Sequence, residues 1–167
     1  MSSSTKDRRT IKGTRQGKEM RKERWSRDSL GFWLYRAHSQ ASNLLRRTFQ
    51  AHGYDVTPEQ WGVLASLRIA EGINQSQLGE NTFKDRHNIT RILDLLEKRG
   101  LVERRIDEGD RRAYRVFLTE AGRKEQERLQ GLVNIHQQVL AEGLEPGELA
   151  SLRRIFEQIV RNIERKA

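Results

Sequence analysis

Apolar residues of this chain recur mainly at three- and four-residue spacing, the signature of helices with one buried face. A first helix is predicted from Leu30 to Ala51, with Leu30, Leu34, Ala37, Ala41, Leu44, Leu45 and Thr48 or Phe49 along a broad face, ended by His52 and Gly53. Thr57 caps the next one, with Pro58 at its first position, Gln60 three residues beyond the cap, and Trp61, Val63, Leu64 and Leu67 as its buried face. Gly72 closes it, and a short third helix follows from Asn74 to about Asn81, seated by Leu78. Asp85 begins a fourth, in which Ile89, Ile92, Leu93, Leu95 and Leu96 turn inward while Thr90, Arg91, Asp94 and Lys98 look outward. Gly100 supplies the left-handed residue that ends it.

The period then changes. From Leu101 to Ile106 and from Ala113 to Leu118 apolar residues alternate, which predicts two strands of a hairpin. Its loop is Asp107, Glu108, Gly109, Asp110, Arg111 and Arg112. Helical spacing resumes after the cap Thr119 and runs to Ala141 or Glu142 through Leu129, Leu132, Val133, Ile135 or His136, Val139 and Leu140, with Gly131 weakening the middle. Pro146 opens a sixth helix in which Leu149, Leu152, Ile155, Phe156, Ile159, Val160 and Ile163 form one stripe. The expected fold class is mainly α (α+β): a winged helix-turn-helix with a helical dimerisation region, about six helices and a two- to three-stranded wing sheet. A helix able to enter a major groove, followed by a hairpin with arginines at its tip, is the layout of a DNA reader.

Composition sharpens this picture in one place. The 167 residues carry a formal net charge of +9, and seven of those charges fall within the first 27 residues. That segment, with Ile11 as its only strongly apolar residue before Met20, cannot bury enough surface to offset its ordering entropy, so residues 1–27 are expected to be a basic, disordered arm. Residues 57–118 make the winged DNA-binding unit, and 28–56 with 119–167 the helical dimerisation region. There is no cysteine, no apolar run long enough to span a membrane, and no signal-peptide core, which fits a cytoplasmic protein.

Enzymatic chemistry finds little support. His38, His52, His87 and His136 lie on different elements without ligand spacing, and neither a His-Glu-x-x-His pair nor a glycine-rich phosphate loop nor a Gly-x-Ser-x-Gly nucleophile is present. No catalysis, cofactor or metal is expected. The anionic partner implied by the charge is double-stranded DNA. Its candidate contacts on the fourth helix are Arg86, His87, Asn88, Thr90 and Arg91, in the two turns that reach base edges and phosphates. Arginine can bind guanine O6 and N7 through two hydrogen bonds, and asparagine can do the same for adenine. At the hairpin tip Asp110 is expected to orient an arginine, leaving Arg111 or Arg112 to enter the minor groove. Two other readings remain open: a nonspecific or architectural nucleic-acid binder, favoured by the arm, and a winged-helix module for protein interaction.

The order of elements, with the run D-R-R-A-Y-R-V-F-L-T-E-A-G from Asp110 to Gly122, resembles the MarR family of bacterial transcriptional regulators over roughly Leu30 to Ile163. The most specific part is Asp110 and Arg112 of the hairpin, followed by Leu118, Thr119 and Gly122. The resemblance implies an obligate dimer joined by its terminal helices, with Leu30, Leu34, Leu152, Ile155, Phe156, Ile159 and Ile163 at the contact. It also implies binding to a pseudo-palindromic operator, as a repressor released by a small aromatic or phenolic ligand. The family's ligand pocket lies among the first, second and fifth helices, where this chain offers Trp33, His38 and Trp61; core packing is the competing role for both tryptophans. The chain departs from the family in having Thr82, Phe83 and Lys84 where Leu-Gly-Leu or similar is common, which removes the turn glycine and adds Lys84, beside Arg86, as a phosphate contact.

Overall fold

The computed structural model describes residues 29–107, 109 and 113–166. The expected arm, and Asp110, Arg111 and Arg112 of the hairpin tip, lie outside the described residues. Among the described residues, six helices and three strands run in the order α1 (Leu30–Ala51), α2 (Pro58–Ile69), β1 (Ile73–Asn74), α3 (Gln75–Thr82), α4 (Arg86–Lys98), β2 (Val102–Ile106), β3 (Tyr114–Leu118), α5 (Glu120–Ala141) and α6 (Pro146–Glu164). The chain divides into two units, 1–41 and 42–167, so that α1 passes from one into the other.

Helix starts are set by side chains that satisfy the orphan N–H groups of the first turn. At α2 the Thr57 hydroxyl accepts from the Gln60 backbone N–H at 3.2 Å, and the Gln60 side chain accepts from the Thr57 N–H at 2.9 Å. Asn74 and Gln77 exchange the same pair of bonds at α3, at 2.9 and 3.0 Å. The α4 helix ends as its glycine predicts: Gly100 adopts φ +68°, and the Leu101 N–H returns to the Leu96 carbonyl at 3.0 Å.

The sheet is antiparallel in the order β1-β3-β2. Val102 pairs with Leu118 and Ile106 with Tyr114, while Ile73 pairs with Val116 on the opposite edge. The third strand is only two residues long, too short to show alternation, and its position is set by β3 rather than by its own sequence. Both hairpin strands begin one residue later than alternation suggests. The Leu101 N–H is committed to Leu96, and its carbonyl to the Thr119 N–H at 3.2 Å.

One core holds the second unit together. Leu45 and Phe49 from α1, Val63, Leu64 and Leu67 from α2, Leu78 from α3, Ile89, Ile92, Leu93 and Leu96 from α4, Val102, Val116 and Leu118 from the sheet, and Leu129 and Val133 from α5 are all buried. Leu95 departs from the expected inward face of α4; it is 41% exposed, because the stripe that meets the core is narrower than the apolar run. On α5 the buried positions are Gly122, Gln126, Leu129, Val133 and His136, whereas Ile135, Val139 and Leu140 are exposed. No residue of α6 is buried, and its large apolar side chains from Leu149 to Ile163 are 38–62% exposed apart from the half-buried Ile159.

Candidate nucleic-acid interface

The N-terminal end of α4 is the centre of the site. Asp85 caps it, its carboxylate accepting from the Asn88 backbone N–H at 2.9 Å and from the Asn88 side-chain amide at 2.6 Å. Those two hydrogen bonds, the backbone one foremost, hold the Asp85 carboxyl below its ordinary range, so it stays charged beside the positive end of the helix. Arg86, His87 and Arg91 are exposed, and Lys84 and Asn88 are half-buried. This leaves three outward-facing basic or aromatic side chains on the first two turns of α4, a combination suited to phosphate and base edges.

Two of the expected contacts are engaged within the protein. The Asn88 amide is occupied by Asp85. The Thr90 hydroxyl donates to the Arg86 carbonyl at 2.8 Å and accepts from the Gln75 side-chain amide, so Thr90 is not the free outward group that its helical position suggests. Gln75, at the first turn of α3, is thereby held against the outer face of α4. Only a contact between two elements remote in sequence identifies it, and helical spacing alone carries no such signal.

The hairpin is fixed to α4 by Arg104. Its guanidinium donates to Glu97 and to Asp94, each at 2.6 Å, while its backbone N–H donates to Glu97 at 3.2 Å. Arg104 has the least exposed side chain among the described ion-paired arginines, and its fork to two carboxylates holds β2 against α4. Farther out, Arg115 pairs with Asp107 and donates to the Gly72 carbonyl at 2.8 Å, tying β3 to the loop before β1. Arg105 stacks over the Phe117 ring at 4.4 Å. Sequence reasoning assigned the wing arginines by position at the tip; the arginines that build its base emerge only from the fold.

The Leu118-Thr119-x-x-Gly122 run has a structural task at this site. The Thr119 hydroxyl accepts from the Gly122 N–H at 3.0 Å, starting α5, and donates to the Gly100 carbonyl at 2.6 Å. A Cβ on Gly122 would sit 1.9 Å from the Leu101 carbonyl oxygen. Only glycine lets α5 start so close to the α4–β2 junction, and through it the long helix α5 is locked to the element that presents Arg91.

The residues expected to line a ligand pocket occupy different settings. In the first unit Trp33 is 52% exposed, its ring edge-on to Phe32 at 5.5 Å with the Arg36 guanidinium 5.4 Å from its centre, and His38 is exposed. Core packing within its own unit therefore does not account for Trp33. In the second unit Trp61 packs against the core, with its buried Nε1 lacking a hydrogen-bond acceptor. His136 was expected only as part of the α5 stripe. It is buried with Nδ1 unpartnered, and burial lowers its pKa below the usual imidazole range.

Comparisons with known proteins agree with this geometry. The sequence profile of the MarR family matches residues 54–113. The chain is 30% identical over 101 residues to the HTH-type transcriptional regulator SarZ of Staphylococcus haemolyticus, an alignment spanning 60% of this chain and 67% of that protein. It is 32% identical over 111 residues to a putative transcriptional regulatory protein for the hcr operon of Thauera aromatica, spanning 66% of this chain and 63% of that protein. The matched region thus covers about two thirds of the length of the first relative and slightly less of the second. Among solved structures, the transcriptional repressor CouR bound to a 23-mer DNA duplex superposes with a TM-score of 0.73 at 30% identity, over 80% of this chain and 93% of that one.

Proposed function

Because the chain belongs to the MarR family of transcriptional regulators, we propose that it acts as a homodimeric, sequence-specific repressor, occupying a pseudo-palindromic operator from which a small aromatic ligand releases it. The observation that carries the DNA-reading part is the exposed Arg86, His87 and Arg91 at the capped end of α4, held in register with the hairpin by Arg104. Arg91 is the base-reading residue. Arg86 and Lys84 anchor phosphates, and Arg111 or Arg112, oriented by Asp110, enters the minor groove. Asn88 reads a base by exchanging its bond to Asp85 for one to DNA, and Thr90 acts through Gln75.

Dimerisation is supported by α6. A 19-residue helix with a continuous apolar stripe and no buried residue calls for a covering surface, and an apolar groove of about 580 Å³ runs along Leu149, Leu152, Phe156 and Val160. Ile155, Ile159 and Ile163 belong to the same helix, and Leu30 and Leu34 of α1 are proposed as separate dimer contacts. Two copies would present their α4 helices to half-sites about 34–36 Å apart. The ligand reading is supported by Trp61 and His136, whose buried ring nitrogens lack protein partners. The 28–56 and 119–167 segments form the dimerisation region, 57–118 reads DNA, and the basic arm adds nonspecific phosphate attraction. Among the described residues no helix is long and apolar enough to cross a membrane, and the protein is proposed to work in the cytoplasm.

Selection of bound sequences from random duplex DNA tests this reading directly. A pseudo-palindrome with half-sites one helical turn apart is expected, retained over random DNA as salt is raised. Enrichment without sequence would favour a nonspecific binder, and no enrichment a protein-interaction module.

A further inference from the structure

Phe83 stands in the turn between α3 and α4 at φ 53°, ψ 41°, the only positive-φ residue other than glycine among the described residues. It is also 94% exposed, more than any other large hydrophobic side chain described. Either feature alone is unremarkable in a loop; together they mean that the phenyl ring is paid for twice and gains nothing within its own fold. The turn itself dictates the backbone. The Lys84 N–H bonds the Gly79 carbonyl at 2.9 Å, and a Cβ on Gly79 would lie 2.9 Å from the Lys84 carbonyl oxygen, so the chain must reverse tightly against α3. Glycine or asparagine would meet that demand without the ring.

The surroundings indicate what the ring meets. Phe83 lines a depression of about 380 Å³ with Gln75, Ser76, Glu80, Lys84 and Arg86, beside the N-terminal end of α4. Lys84 and Arg86 supply the cations for two phosphates. The Glu80 carboxylate in the same depression repels a third anion there, which leaves an uncharged, partly apolar group as the one that fits against the phenyl face. In duplex DNA the group between successive phosphates is deoxyribose. We propose that Phe83 is a DNA-backbone contact, its ring packing on the deoxyribose between the phosphates bound by Lys84 and Arg86, and so sets how deeply α4 sits in the groove. This inference rests on the DNA-reading function proposed above.

The test uses the full chain and a duplex obtained by selection. Phe83→Gly is expected to raise Tm by about 2–4 °C, because the left-handed turn is relieved, and yet to weaken operator binding about five- to tenfold. Phe83→Asn, which also tolerates the turn, shows the same loss, while Phe83→Leu recovers most of the affinity. Since apolar contact releases no counterions, the slope of log affinity against log salt stays at the wild-type value in all three, whereas Lys84→Gln lowers it by about one contact. Wild-type affinity in both Phe83→Gly and Phe83→Asn overturns the inference and leaves the DNA reading intact. A salt slope that falls in Phe83→Asn overturns it too, since the loss would then come from a displaced cation. A wild-type protein that selects no duplex removes the DNA reading, and this inference with it.

Discussion

Helices α4 and α6 carry almost the same sequence signal and meet opposite fates. Each has a stripe of large aliphatic residues at three- and four-residue spacing, opposite a charged face. In α4 the stripe of Ile89, Ile92, Leu93 and Leu96 is sealed by α2, α3 and the sheet. In α6 the stripe of Leu152, Ile155, Phe156 and Val160 remains open. An amphipathic pattern states that a face must be covered and leaves open by what. The difference assigns the two helices to different levels of organisation: α4 is completed by its own chain, and α6, on the reading proposed here, by a second copy.

The sharpest way to break this comparison is to cut a large side chain from each stripe. Leu93→Ala should destabilise the fold by about 2–5 kcal/mol, seen as a lowered midpoint in urea at every protein concentration. Phe156→Ala should cost about 2–4 kcal/mol, and it should appear in the monomer–dimer equilibrium measured by sedimentation, with midpoints that become less dependent on concentration. If Phe156→Ala behaved like Leu93→Ala, α6 would be a core helix of the single chain.

The outer face of α4 gives a third contrast, within one helix. Arg91→Ala should weaken operator binding by about 1–3 kcal/mol and relax base preference at one position, with thermal unfolding unchanged. A loss of stability with no loss of DNA affinity would mean that Arg91 serves the fold. The smallest expected effect concerns His136, which with Gln126 is one of two buried polar residues on α5. Its pKa is lowered in the folded state by burial, so its contribution to stability is intact above the unfolded value of about 6.5 and declines as pH falls from there through the folded pKa. His136→Leu should flatten that part of the curve of urea midpoint against pH; an unchanged slope would show that His136 protonates without penalty.

Much of the site was legible because it rests on local rules. Thr57, Asp85 and Thr119 cap helices through hydrogen bonds that span three residues, and sequence spacing reports such bonds directly, whereas Asn74, expected as the first residue of the third helix, is its cap. The basic end of α4 was visible for the same reason. What spacing could not show was which outward groups are already used. Thr90 and Asn88 appear free on a helical wheel and are bound by Gln75 and Asp85. Arg104 reads as one charge among several on a strand, until the turn after α4 folds β2 back and brings Asp94 and Glu97 within 2.6 Å. The missing turn glycine looked like a departure in geometry. In the structure the turn is made with Phe83 itself in the left-handed region.

The sequence by itself determined the helices, their caps, the hairpin and the basic face of α4, since each depends on periodicity or on bonds between near neighbours. Tertiary structure decided which apolar stripes are satisfied within the chain, where the two-residue strand β1 pairs, why Gly122 must be glycine against the Leu101 carbonyl, and which polar groups are left facing outward. Those outcomes depend on distances between segments far apart in the chain, and such distances exist only once the core has closed.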